Sequence, residues 1–239
     1  MCSLIDNLPN HVAIIPDGTR RWARKRGLPE IEGAKAGAET IHKTIAYLLD
    51  SGIKYLTVWG FSTDNWKRSE DQIGFLFEQV QIWLERDAPW LHSQGVRFRH
   101  IGRLDRLPSG LQRGISYWGE LTRQNVGMTL IAAFDYSGRA EIVDAVRRLI
   151  DSGRLGEPAM SRPQLDEKLF SRYLYTDGMP DVDLVIRTSG ELRLSNFMLW
   201  QAAYSEFYFT DLLWPDFDTK ELEKALQVYS ERKRRFGGD

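Results

Sequence analysis

Asp17 stands where an apolar run ends. In "AIIPDGTRRWARKRG" a proline and the lone carboxylate are followed by glycine, then by Arg20, Arg21, Arg24, Lys25 and Arg26, interrupted by Trp22. One acid among guanidinium groups suits a Mg²⁺ site beside a diphosphate. Mg²⁺ is usually held by one or two carboxylates plus phosphate oxygens, and arginine presents a planar, permanently charged fork of donors. Three other segments carry the same mixture. They are Ser62, Thr63, Asp64, Asn65, Trp66, Lys67 and Arg68; Asp135 to Arg139; and Arg187, Thr188, Ser189, Gly190, Glu191, Arg193, Ser195 and Asn196. Hydroxyls and glycine-exposed amides would complete a phosphate cradle.

Each segment follows a stretch that reads as a strand. These stretches are His11–Ile15, Ile53–Phe61, Met128–Phe134 and Asp183–Thr188, with further strands over Val96–Gly102 and Glu206–Thr210. Helical periodicities separate them, over Gly33–Gly52, Glu70–His92, the interval between the third and fourth strands, 139–152, 163–174 and Asp218–Arg235. The alternation predicts an α/β fold, one domain over residues 1–239, with a mainly parallel central sheet flanked by helices. In such sheets ligands bind beyond the C-terminal strand ends, so the four polar segments converge on one rim. Asp151–Pro163 reads as a surface loop and not as a domain boundary.

Composition narrows the function. Lys and Arg number 32 against 33 Asp and Glu, a balance that argues against a nucleic-acid partner. Cys2 is the single cysteine, which excludes an intramolecular disulfide and paired-cysteine zinc sites. "MCSLIDNLPN" has neither the basic nor the apolar region of a signal peptide, and no run is long enough to span a bilayer. A cytoplasmic protein is expected, with at most peripheral membrane contact through a long product. The four histidines lack ligand spacing; "RRWARKR" and "ERKRR" taken alone would be solvated faces, and Phe77 and Trp83 core.

Other phosphate enzymes are eliminated by what is missing. Neither G-x-x-x-x-G-K-[ST] nor G-x-G-x-x-G occurs. "PDGT" lacks the nucleophilic aspartate of the D-x-D-G-T phosphatases, where Ile15 stands, and no two aspartates are adjacent, as a D-D-x-x-D prenyl synthase requires.

"HVAIIPDGTRRWARKRG", "GFSTDNWKR", "DLVIRTSGELRLSNFMLWQAAYSEFYF" and "LWPDF" together resemble the cis-prenyltransferases, the isoprenyl transferase or undecaprenyl diphosphate synthase family, from His11 to about Phe217. The resemblance implies a homodimer that condenses isopentenyl diphosphate with an allylic prenyl diphosphate, head-to-tail and cis, using Mg²⁺. It implies that Asp17 is catalytic and metal-binding, that Asn65 accepts a proton, and that Glu206 is a second metal carboxylate. Gly18, Thr19, Arg20, Arg21 and Trp22 would cradle the allylic diphosphate, and Ser62, Thr63, Asp64, Trp66 and Arg68 would position substrate. Arg187, Arg193, Leu194 and Ser195 would bind isopentenyl diphosphate. The helix containing "IGFLFEQVQIWL" would wall an apolar tunnel, with Phe75 and Trp83 as candidates to shorten the product.

Four positions depart from the family pattern. Thr19 replaces asparagine, Pro16 methionine, Glu30 arginine and Ala34 histidine. The last two remove a positive charge and a proton carrier beside the diphosphates. Two alternatives follow: an irregular, lavandulyl-type head-to-middle condensation of two allylic diphosphates, and a non-catalytic partner subunit. Retention of the Asp17 motif weighs against the second.

Overall fold

The computed structural model describes residues 5–153 and 165–232. Most of the expected loop over 151–163 and the end of the closing helix, with Cys2, lie outside them. Six strands form one sheet in the order β3-β4-β2-β1-β5-β6, and every neighbouring pair is parallel. The strands are β1 (His11–Ile15), β2 (Tyr55–Ser62), β3 (Arg97–Ile101), β4 (Thr129–Tyr136), β5 (Leu184–Arg187) and β6 (Glu206–Phe209). All five residues of β1 are buried, as its unbroken apolar run implies for a central strand covered on both faces.

Helices α1 (Thr19–Lys25), α2 (Glu30–Asp50), α3 (Glu70–Ser93), α4 (Ser109–Leu121), α5 (Gly138–Asp151), α6 (Glu167–Ser171) and α7 (Thr219–Glu231) complete the layers. The larger core cluster lies on the sheet face that carries Val12, Ile14, Leu56 and Leu130. Against it pack Ile45 and Leu48 of α2, Phe77, Leu84 and Leu91 of α3, and Leu111 and Ile115 of α4. Spacing at i, i+3, i+4 and i+7 likewise directs Leu222, Ala225, Leu226 and Tyr229 of α7 inward. The opposite face carries Ala13, Ile15, Ile131 and Ala133 under Val182, Phe197, Met198 and Ala202.

Two central strands change face near their C-terminal ends. On β2, Leu56 and Val58 belong to the larger cluster; after an irregularity between Trp59 and Phe61, Phe61 joins them despite its odd number. On β4, Phe134 and Tyr136 belong to opposite clusters, and Asp135 between them has φ +46°. Bulges of this kind re-aim side chains at the ends of strands. Gly60 is required at the first because a Cβ there would come within 2.2 Å of the Phe134 ring.

Candidate active site

The chain builds the sheet from β1 outward through β2, β4 and β3 on one side and then, from β4, returns to add β5 and β6 on the other, so the crevice between β1 and β5 is the sheet's switch point. Register pairs Ile15 with Arg187 there. Two residues beyond Ile15, Asp17 Oδ2 accepts a hydrogen bond from Arg187 at 3.1 Å. The Arg187 guanidinium also donates to the Arg193 carbonyl and, at 2.8 Å, to Ser195 Oγ. Thr188 fixes the Asp17 backbone from both sides: its Oγ1 accepts the Asp17 N–H at 2.9 Å and donates to the Asp17 carbonyl at 2.7 Å.

Gly18 caps α1 at φ +101°, with Leu213 and Ser189 packed where a side chain would go. That turn sends Arg20 and Arg21 back over the crevice. Arg21 donates to Ser189 Oγ at 2.5 Å and lies 3.5 Å from Asp17 Oδ1. Burial alone would push the Asp17 carboxyl up. The hydrogen bond and charge of Arg187, with Arg21 and Ser189 behind them, outweigh it and hold the carboxyl below the usual carboxylate range. The group is therefore ionised at neutral pH.

On the other side of the crevice, Ser62 opens a 3-10 turn, Thr63–Lys67, through a reciprocal cap. Its hydroxyl accepts from Asp64 N at 3.1 Å, while Asn65 Oδ1 accepts from Ser62 N at 3.0 Å. Burial and the nearby Arg20 charge both press the Arg68 guanidinium down from its ordinary value.

A cavity of about 740 Å³ opens between these groups. Its rim is Asp17, Arg20, Arg21, Arg24, Arg68 and Arg187. Its walls are Ala38 and Ile41 of α2 and Phe75, Leu76, Val80 and Trp83 of α3, and its floor is Val58, Leu130, Ala132 and Phe134. One end of the cavity is cationic and the remainder mainly hydrocarbon, which matches a molecule with an anionic head and an apolar tail.

A family model described as "Putative undecaprenyl diphosphate synthase" matches residues 15–237. The chain belongs to the undecaprenyl diphosphate synthase family. This cis-prenyltransferase is 48% identical to an isoprenyl transferase of Fusobacterium nucleatum, over 97% of both chains. It is 42% identical to the ditrans,polycis-undecaprenyl-diphosphate synthase, farnesyl-diphosphate specific, of Micrococcus luteus, over 97% of this chain and 92% of the relative. Among solved structures, lavandulyl diphosphate synthase from Lavandula x intermedia, in complex with dimethylallyl diphosphate, superposes with TM-score 0.91 at 41% identity. The alignment covers 96% of this chain and 98% of the other. A probable undecaprenyl diphosphate synthase from Campylobacter jejuni gives 0.80 at 30% identity over 97% and 99%.

In this prenyltransferase the residues expected at the site divide into three groups. Asp17, Gly18, Thr19, Arg20, Arg21, Ser62, Asp64, Asn65, Arg68, Arg187 and Ser195 line the cavity. Trp22, Thr63, Trp66 and Leu194 support it from behind. The Trp22 indole donates to Asp216 at 2.7 Å, Thr63 to Ser137 at 2.7 Å, and Trp66 to Asp135 at 2.7 Å; Leu194 packs into the smaller core cluster. Arg193 and Glu206 do not line the cavity. The Arg193 side chain meets Glu191 at 2.5 Å, Glu191 in turn lies 3.5 Å from Arg21 of the rim, and the Arg193 carbonyl accepts from Arg187. Glu206 opens β6 opposite Leu184, three residues before Arg187, and its carboxylate meets Arg232 at 2.6 Å. Among the described residues of one chain it does not join Asp17, and no cluster of three acidic, histidine or cysteine ligands forms.

Thr188, Ser189 and Arg24, expected only as members of the polar segments after the strands and given no role of their own, all contact the site: Thr188 and Ser189 through Asp17 and Arg21, Arg24 as part of the cavity lining. Glu30 and Ala34 both line the cavity. Glu30 Oε1 lies 3.1 Å from Arg20 Nε and 3.3 Å from Arg24, so the acid at the unusual position neutralises part of the rim. Trp83 and Phe75 face the cavity, whereas Phe77 is core. No helix among the described residues is long and apolar enough to cross a membrane.

Proposed function

We propose that this protein elongates an allylic prenyl diphosphate by head-to-tail, cis condensation with isopentenyl diphosphate. The observation that carries the reading is the ionised Asp17, held between Arg187 and Arg21 at the cationic mouth of an otherwise apolar cavity. Arg20, Arg21 and Arg68 would grip the allylic diphosphate and stabilise charge as its C–O bond breaks. The hydrocarbon tail would lie between α2 and α3, away from water. Arg187 and Ser195 face the position from which a second diphosphate would present its alkene.

The new C–C bond forms between the alkene carbon and the allylic carbon, and one proton leaves to restore a double bond. Asn65 Oδ1 already accepts one hydrogen bond. A primary amide is a weak base, so Asn65 orients the carbon losing that proton, and the released diphosphate carries the proton away.

Mg²⁺ fits a donor set of Asp17 together with substrate phosphate oxygens, the arrangement this cation favours. Asp17 would hold it, and bound there it would neutralise charge on the leaving diphosphate. The chain's own residues set where that diphosphate sits. A homodimer and a cytoplasmic location belong to the same proposal.

A second reading is favoured by Glu30 and by the likeness to the lavandulyl synthase. Glu30, engaged with Arg20 and Arg24, alters the rim where the family pattern has arginine, and an altered diphosphate site is the motivation for condensation of two allylic substrates. Product mass spectrometry separates the two. Purified protein with Mg²⁺ receives dimethylallyl, geranyl or farnesyl diphosphate, each with and without isopentenyl diphosphate. Growth by five-carbon steps only with isopentenyl diphosphate is expected; condensation of allylic substrate alone would overturn the head-to-tail reading.

A further inference from the structure

Asp135 is buried at the end of β4, 1% exposed, and serves none of the steps above. Its φ of +46° turns the side chain off the strand toward the 3-10 turn Thr63–Lys67. Oδ1 accepts the Trp66 indole N–H at 2.7 Å, Oδ2 lies 3.2 Å from Arg106 Nε, and its carbonyl accepts Arg103 N–H at 3.2 Å. The Arg106 guanidinium also sits over the Trp66 ring, 5.2 Å from its centre. Phe61 and Phe77 close the box edge-on at 5.2 and 5.7 Å. Trp66 thus has its one polar atom and three sides of its ring fixed.

The two residues that Trp66 carries to the cavity are Asn65, immediately before it, and Arg68, two positions after. Arg68 N–H also bonds to the Asn65 carbonyl at 3.0 Å. A turn this short has no core of its own, so the orientation of Asn65 and Arg68 depends on its anchor.

We propose that Asp135 is a positioning residue that aims Asn65 and Arg68 at the allylic diphosphate through the Trp66 indole. This rests on the reading of the cavity as a prenyl diphosphate site. A purely structural role is the competing account. A buried carboxylate costs desolvation that an apolar residue of similar size would avoid, so stability alone is a poor reason for an acid here. An acceptor aimed at a single indole N–H is what positioning requires, and a displacement of about 1 Å at a reacting centre lowers rates roughly hundredfold.

The test uses Asp135→Asn, which keeps an acceptor oxygen, Asp135→Leu, which removes it, Trp66→Phe, which removes the donor, and the double variant Trp66→Phe/Asp135→Leu. Two readouts are taken: steady-state kinetics with the allylic diphosphate, and calorimetric binding of inorganic diphosphate. Asp135→Leu and Trp66→Phe are each expected to lower kcat/KM about 10- to 100-fold. Asp135→Asn should recover most of that loss, and the double variant should be no worse than either single one, because both break the same link. Diphosphate binding should weaken several-fold in the same two variants.

Additive losses in the double variant, or failure of Asp135→Asn to recover activity, would overturn the assignment. If Asp135→Leu does not fold, Trp66→Phe and Asp135→Asn decide it: full activity in Trp66→Phe overturns it. A wild-type protein that binds diphosphate normally yet makes no prenyl product would refute the functional reading. The binding readout would still decide whether Asp135 orients Arg68.

Discussion

Replacing Glu30 by glutamine should tighten the hold on an allylic diphosphate. Glu30 engages Arg20 at 3.1 Å and Arg24 at 3.3 Å, and a diphosphate entering the rim must compete for the same guanidinium groups. The three side chains are between 39 and 67% exposed, so each ion pair is screened and worth only about 0.2–1 kcal/mol. Releasing both contributes about 0.4–2 kcal/mol to diphosphate binding, or a roughly 2- to 30-fold lower KM. Removing a negative charge from the rim acts in the same direction. The ion pairs with Glu30 compete with the diphosphate before reaction begins, so KM should change more than kcat. The assay is initial-rate kinetics of Glu30→Gln against wild type at two ionic strengths, and the advantage should shrink as salt rises. A KM that is unchanged or higher would refute the reasoning. It would mean that Glu30 arranges Arg20 and Arg24 for the ligand and does not compete with it.

Asp17→Ala should lose turnover by at least about a hundredfold, because it removes the carboxylate on which the leaving diphosphate is organised. It also strips a buried Arg187 of its acid, so a fall in stability of up to about 3 kcal/mol is expected, with circular dichroism still native. Retained activity would sink the assignment. Because the Asp17 pKa is depressed on folding, the carboxylate adds stability that is fully present above the unfolded value and is lost as pH falls through the folded one. The melting-temperature gap between wild type and Asp17→Asn should therefore be flat from pH 8 to 5 and close only below about pH 4; a gap that narrows between pH 7 and 5 would contradict this. Gly60→Ala drives a methyl group into the Phe134 ring, 2.2 Å away, and should cost about 1–3 kcal/mol by thermal melting while altering the cavity floor. An unchanged melt would count against the bulge as described.

Much of the architecture was readable because buried parallel strands are continuous apolar runs. His11–Ile15 and the six-strand alternation came through within a few residues, and the rim at the C-terminal ends of the strands followed from topology. Side-chain direction was not readable where the backbone departs from the pleat. Nothing in "WGFS" or "AFDYSG" states that Gly60 and Asp135 reverse the alternation, so β4 extends two residues beyond its expected end and Asp135 lies on the strand. Trp22 and Trp66 look like substrate contacts in a motif. Their indoles turn away because Asp216 and Asp135, 194 and 69 residues away in sequence, offer better acceptors than the cavity does. Glu206 opens β6 as the sequence places it, and within one chain its carboxylate meets Arg232, a contact that its motif does not announce. The helix expected over 163–174 is only Glu167–Ser171 within the described residues, followed by turns.

The Asp17–Arg187 pair joins residues 170 positions apart, and the strands that carry them are immediate neighbours. This has a consequence during synthesis. β2 can cover one edge of β1 soon after both leave the ribosome, but the other edge waits for β5. At about 5–20 residues per second that wait lasts roughly 10–30 s. For that interval the nascent chain holds a strand that is apolar from Val12 to Ile15 with an open edge, which invites pairing with other chains. The acid and its arginine come together late, so a chain interrupted anywhere before Arg187 carries the Asp17 motif without the partner that orients its carboxylate. For this fold, competence arrives all at once, near the end of translation.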